Sequence, residues 1–132
     1  MARYNLFETN KVFVLDEINE NCDRIFAHVK EVYPEKVNDL FIGGSVGLIL
    51  QGEPAKIVKD IDIIVTDRTL FDKLFNDLPK EIPGDYKAQF SRFWIKTDVC
   101  LYEFWYVLKN ANIVNYNGIL LEKKSDILIY KR

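Results

Sequence analysis

The sequence predicts an α/β (α+β) fold: a mixed β-sheet with helices packed against it. Three observations carry this expectation. A long helical stripe opens the chain. Two short apolar strands then flank a glycine-led helix between residues 39 and 65. A second helical stripe leads into a stretch, 86–108, dense in aromatic and β-branched residues.

Each element has its own signal. Within residues 11–33, Val12, Leu15, Ile18, Cys22, Ile25, Phe26, Val29 and Val32 recur at helical spacing. Asp16, Glu17, Glu20, Asp23 and Lys30 fall off that stripe. Pro34 marks the end or the turn after it. Asp39-Leu40-Phe41-Ile42 runs into Gly43-Gly44, as a buried strand enters a tight turn. Ser45 to Leu50 suits a short helix with Ser45 as its N-cap, broken by Gly52-Glu53-Pro54. Asp60 to Val65 reads as a second strand. Thr66-Asp67 begins a loop or cap before the stripe Leu70, Phe71, Leu74, Phe75 and Leu78, and Pro79 and Pro83-Gly84 break the chain after that stripe. One or two strands cover roughly Phe90 to Tyr106. Asn117-Gly118, between Ile113-Val114 and Ile119-Leu120-Leu121, signals a hairpin. In the tail, Ser125 caps a last helical turn or Ile127 to Tyr130 forms a strand.

A length of 132 residues, with no repeat, low-complexity tract or Gly/Ser linker, favours one domain spanning 1–132. With 48% hydrophobic and 14% aromatic residues, the chain can build a core. A net charge of -2 gives no global attraction for nucleic acid, although a local basic cluster can still hold a phosphate. Cys22 and Cys100 lack metal-site spacing and read as reduced thiols. No apolar run reaches the ~18 residues of a membrane span. Met1-Ala2-Arg3-Tyr4-Asn5 lacks the apolar segment of a signal peptide, so the expectation is a cytoplasmic protein without a membrane partner.

Asp60 and Asp62 are the most informative pair. Residues two apart on a strand point to one face, so the two carboxylates face together while Ile61, Ile63 and Val65 face the other way. Side by side on an apolar strand they repel and are costly to desolvate. A divalent cation removes that cost, and hard carboxylate oxygens suit Mg²⁺ or Mn²⁺ held together with substrate phosphates. An isolated Asp-x-Asp is more often only a strand boundary. Gly43-Gly44-Ser45 is the second piece. Glycine lets a backbone approach a ligand closely, and a helix beginning at Ser45 turns free N–H groups toward an anion. Alone, it is an ordinary strand–helix turn.

The order and spacing of the two pieces weigh more than either. Phe41-Ile42-Gly43-Gly44-Ser45, then Gly52, then Asp60-Ile61-Asp62-Ile63-Ile64-Val65 resembles the signature of the nucleotidyltransferase superfamily. That signature is an apolar strand, Gly-Gly-Ser or Gly-Ser, a short helix, and a strand bearing Asp-x-Asp. The resemblance covers residues 41–65, and the later strands fit it more loosely.

The resemblance implies a nucleotidyltransferase-like mixed sheet and a third carboxylate on a later strand. Asp98 interrupts the strand-like run Ile95 to Leu101 and is the candidate; Lys96 and Asp98 alternatively pair on a solvated face. Glu103 is the weaker rival, on the other strand face from Asp98 if the pleat is regular. Asp60, Asp62 and Asp98 are then the catalytic and metal-binding set. Gly43, Gly44 and Ser45 hold the phosphates, with Lys56 and Lys59 as candidate phosphate contacts or merely solvated loop lysines. Relatives with this signature often carry an arginine four before the first aspartate and a threonine two before it. Here those positions hold Lys56, which keeps the charge but not the planar fork, and Val58, which loses the hydroxyl.

The implied activity is Mg-dependent transfer of a nucleoside monophosphate from a nucleoside triphosphate to a hydroxyl acceptor. The alternative is a non-catalytic nucleotide-binding or partner-binding module of the same fold, antitoxin-like or a regulatory subunit. Only about thirty residues come after the expected third-acid strand. The acceptor, a small molecule or a partner protein, is therefore expected in a homodimer groove, on a partner or on a shallow surface. The small architecture resembles minimal and lincosamide-type nucleotidyltransferases. His28 reads as a polar-face residue away from the motif. The aromatics Phe90, Phe93, Trp94, Tyr102, Phe104, Trp105 and Tyr106 read as sheet core or subunit contact before a base-stacking platform.

Overall fold

The computed structural model describes residues 15–52, 60–97, 101–108, 112–116 and 119–130. The first helix, α1 (Leu15–Val32), matches the predicted stripe and buries Cys22, Ile25 and Val29. Pro34 opens a 3₁₀ turn through Asp39 that delivers the chain into β1 (Leu40–Ile42). Helix α2 (Gly44–Leu50) comes next, then β2 (Ile61–Val65) and α3 (Arg68–Glu81). The sheet is completed by β3 (Asp85–Gln89), β4 (Arg92–Lys96), β5 (Leu101–Tyr106), β6 (Ile113–Tyr116) and β7 (Ile119–Glu122), and α4 (Lys124–Tyr130) closes the described chain.

The architecture is α+β, with one seven-stranded mixed sheet in the order β3-β4-β5-β2-β1-β7-β6. Two pairings are parallel, β2 with β5 and β1 with β7; the others are antiparallel. Strand alternation gives the sheet two unlike faces. One carries Leu40, Ile42, Ile61, Ile63, Val65, Phe93, Ile95, Tyr102, Phe104 and Leu121, which form one core with Ile25 and Val29 of α1 and Leu70, Leu74 and Leu78 of α3. Phe93 stacks on Phe104 with centroids 4.2 Å apart, and Phe93, Trp94, Tyr102 and Phe104 are buried in the sheet, as expected. Phe90 is instead exposed in the β3–β4 turn, and Trp105 and Tyr106 are only partly buried. Phe41, Asp62, Ile64, Arg92, Trp94, Glu103 and Trp105 alternate to the opposite face.

Several local expectations change. Helix α2 starts at Gly44 with Gly43 as its N-cap, so Ser45 lies inside the helix and is not the cap. The Gly43 carbonyl already accepts from the Gly47 N–H at 3.1 Å, which closes the first turn one residue earlier. Helix α3 continues through Pro79 to Glu81. In the last turn one missing donor is tolerated, because Ile82 still donates to the Leu78 carbonyl at 2.7 Å. Asp67 is the cap, accepting from the Leu70 N–H at 2.8 Å.

Strand β3 has no counterpart in the sequence expectation. Asp85-Tyr86-Lys87-Ala88-Gln89 alternates only through Tyr86 and the small Ala88, of which Tyr86 alone packs on the core of this exposed edge strand, and its turn at Phe90-Ser91 lacks glycine or asparagine. The β6–β7 hairpin forms with Tyr116 opposite Ile119, as expected; Asn117 and Gly118 themselves lie outside the described residues. The tail is helical, but Ser125 lies within α4 and a side chain from the end of α2 caps it. The Gln51 Oε1 accepts from the Lys124 N–H at 2.9 Å, while its amide donates to the carbonyls of Gly47 at 3.0 Å and Glu122 at 2.7 Å. Among the described residues, no helix is long and apolar enough to cross a membrane.

Candidate functional site

The glycine turn and the aspartate strand meet directly. Strands β1 and β2 are antiparallel neighbours, and the pairing extends past β1: the Gly43 N–H donates to the Asp62 carbonyl at 3.0 Å. Gly44 then adopts φ +61, a left-handed conformation that favours glycine. Its α-carbon packs on the Asp62 side chain so tightly that a Cβ there would stand 2.2 Å from Asp62 Oδ2. Position 44 thus requires glycine for both its backbone and its space.

Asp60 and Asp62 face together as the two-residue period requires, and a third acid joins them. Strand β5 lies parallel to β2 with Glu103 in register with Asp62. Parallel neighbours in register project to the same face. One carboxylate oxygen from each of Asp60, Asp62 and Glu103 lies within 4.8 Å of the others. The group is sunk into the protein: Asp60 is 7% exposed, Glu103 fully buried, and Asp62 partly open.

Two further side chains fix the acids. The Trp105 indole Nε1 donates to Asp62 Oδ1 at 3.4 Å. The Arg92 guanidinium stands 3.6 Å from Glu103 Oε2 and lies over the rings of Trp105 and Trp94, at 4.5 and 5.1 Å from their centroids. Arg92 reaches Glu103 because β4 and β5 are antiparallel with Arg92 opposite Trp105, which sets Glu103 on the diagonal.

The donor set fits a divalent cation. Three hard oxygens at this spacing suit a hard divalent cation, which would offset the repulsion of like charges brought together at low exposure. Among the described residues, Glu103, the weaker rival at the level of sequence, is the acid that the fold brings to the pair. Its signal lies in its setting: it is the one charged residue inside the aromatic run Leu101 to Tyr106. Asp98, Lys56, Lys59 and Val58 lie outside the described residues, as does Cys100.

His28, read as a polar-face residue, finds a polar partner across helices. It is half-buried, with Nε2 at 3.2 Å from Asp77 of α3, and the Tyr33 hydroxyl donates to the same carboxylate. Burial opposes ionisation of Asp77, but the hydrogen bonds from Tyr33 and His28 outweigh it and hold the carboxyl below its usual range. The same bond pushes the Tyr33 hydroxyl up to about 12. This cluster ties α1 to α3 on the helical face, away from the acids.

No protein-family model matches the sequence, and no curated protein matches it. Solved structures do match. The lincosamide antibiotic adenylyltransferase LnuA, solved with lincomycin bound, superposes with a TM-score of 0.65 at 17% identity, over 92% of this chain and 88% of that one. A Thermotoga maritima protein (TM1012) named as a "putative nucleotidyltransferase" superposes with a TM-score of 0.60 at 14% identity, over 92% of this chain and 87% of that one. The fold is nucleotidyltransferase-like. In this nucleotidyltransferase-like sheet the two central parallel strands, β2 and β5, supply Asp62 and Glu103, and the Gly43-Gly44 turn closes beside them.

Proposed function

We propose that the protein is a nucleotidyltransferase, transferring a nucleoside monophosphate from a nucleoside triphosphate to a hydroxyl acceptor in a Mg²⁺- or Mn²⁺-dependent reaction. The observation that carries this reading is the convergence of Asp60, Asp62 and Glu103 against the Gly43-Gly44 turn. The matching folds support it.

In this reading Asp60, Asp62 and Glu103 are the metal ligands, and Glu103 takes the place that the family resemblance suggested for Asp98. Divalent metal at this site would activate the attacking hydroxyl and neutralise the departing pyrophosphate. The acceptor oxygen bonds to the α-phosphorus, the bond to the β-phosphate oxygen breaks, pyrophosphate leaves, and the hydroxyl proton is released to water. The chain's own part is to position and to stabilise charge. Gly43, Gly44 and Ser45 hold the phosphates in this reading, which the close approach of Gly44 to the Asp62 carboxylate supports. Lys56 and Lys59 add positive charge on the segment leading to Asp60. The acceptor is a small molecule or a partner protein, and the lincomycin-bound neighbour makes a small molecule the first class to test. We place the protein in the cytoplasm as one domain over 1–132.

The test is incubation of purified protein with labelled triphosphates, Mg²⁺ or Mn²⁺ and candidate acceptors. Label transferred to an acceptor, to a co-purified partner or to the protein itself supports the enzyme. Lys56 and Val58, which depart from the family pattern, favour a second reading as a non-catalytic nucleotide-binding module. That reading predicts metal-dependent triphosphate binding with no transfer.

A further inference from the structure

We infer that Arg92 is a built-in counter-charge that acts through Glu103 to weaken metal binding at the acidic group. This rests on the reading of that group as a metal site. Arg92 is held in place on three sides. Its guanidinium reaches Glu103 Oε2 at 3.6 Å, stacks over Trp105 and Trp94, and donates to Gln89 Oε1 at 3.4 Å. Its side chain is 18% exposed, so water screens the charge only in part. The cross-strand position opposite Trp105 fixes its approach from β4.

Charge sets the consequences. A carboxylate paired with a guanidinium at 3.6 Å already has part of its charge offset and gains less from a metal ion. The fixed positive charge also repels an incoming divalent ion over a few ångströms. Without an ion, the same charge offsets repulsion among the three buried acids and stabilises the folded chain. Arg92 is therefore a positioning residue whose charge holds the acids ready while keeping affinity for free metal low. A triphosphate, which carries its own negative charge, then supplies what the ion needs to stay.

The experiment is a calorimetric titration of Mn²⁺ alone into wild-type protein, Arg92→Met, Arg92→Gln and Arg92→Lys, with melting temperatures recorded with and without Mn²⁺. Methionine keeps the apolar stem over the two tryptophans and removes the charge; glutamine is the second neutral variant if methionine folds poorly. Both neutral variants are expected to bind Mn²⁺ on the order of tenfold more tightly than wild type. They should melt lower without metal and gain more from its addition. Arg92→Lys keeps the charge and should stay within about threefold of wild type. Equal or weaker Mn²⁺ binding by the neutral variants overturns the inference while leaving the metal site standing. Failure of the wild type and of both neutral variants alike to bind Mn²⁺ overturns the metal site and this inference together.

Discussion

The α-carbon of Gly44 is in contact with the carboxylate of Asp62: a Cβ at position 44 would lie 2.2 Å from Oδ2. This contact turns two weak sequence motifs into one site. The glycine is there because the aspartate needs the space, and the aspartate is held because the turn closes over it.

Gly44→Ala should therefore be severe. A side chain at φ +61 costs about 1–2 kcal/mol by itself, and the clash with Asp62 adds to it. We expect at least about 2 kcal/mol lost in denaturant unfolding, with metal-dependent triphosphate binding lost as well. Gly52 is the internal control. It has φ +100 but nothing within 4 Å of an added Cβ, so Gly52→Ala should cost about 1–2 kcal/mol for its backbone alone and leave binding unchanged.

Gln51 joins three elements with one amide: the end of α2, the end of β7 and the first turn of α4. Gln51→Ala removes all three bonds and leaves two carbonyls and a helix-end N–H to find other partners. About 1–3 kcal/mol of destabilisation is expected by chemical denaturation. Gln51→Glu keeps the acceptor for Lys124 but sets a charged oxygen against the carbonyls of Gly47 and Glu122, so it should be at least as destabilised as Gln51→Ala.

Asp67 should make the fold acid-sensitive. The Lys36 ammonium at 2.9 Å, with the Leu70 N–H behind it, holds the Asp67 carboxyl below its ordinary value of 3.8. A carboxyl with a depressed folded value adds stability above its unfolded value, and that stability is lost as pH falls through the folded value. Stability should thus drop below about pH 4 more steeply in wild type than in Asp67→Asn. Asparagine keeps the cap and loses the ion pair, whereas Asp67→Ala should cost about 1 kcal/mol at neutral pH. Urea unfolding at pH 3, 4 and 7 separates the three.

Strand β2 shows what sequence periodicity can carry. The two-residue period sends Asp60 and Asp62 to one face and Ile61, Ile63 and Val65 to the core, and the glycine run ending β1 marks the turn. Glu103 is harder to read because its partnership depends on the parallel register of β5 with β2, a pairing across 41 positions between Asp62 and Glu103 that no local pattern encodes. Strand β3 escapes sequence reading for another reason: on this exposed edge strand only Tyr86 packs on the core, so its short alternation carries little apolar signal. His28 reads only as a polar-face residue in sequence because its partner, Asp77, is contributed by another helix. Local periodicity reports which face is buried, while the third acid and the histidine bridge belong to tertiary register.

The most direct test of the proposed metal and nucleotide site is calorimetric titration of a non-hydrolysable nucleoside triphosphate with Mn²⁺ into wild type, Asp62→Ala, Glu103→Gln and Asp98→Asn. A site built on Asp60, Asp62 and Glu103 predicts metal-dependent binding by wild type and Asp98→Asn and no metal-dependent binding by Asp62→Ala. It also predicts at least about a tenfold loss in Glu103→Gln, whose side chain keeps its shape but not its charge. Wild-type affinity in Glu103→Gln, or binding that ignores the metal, would contradict it.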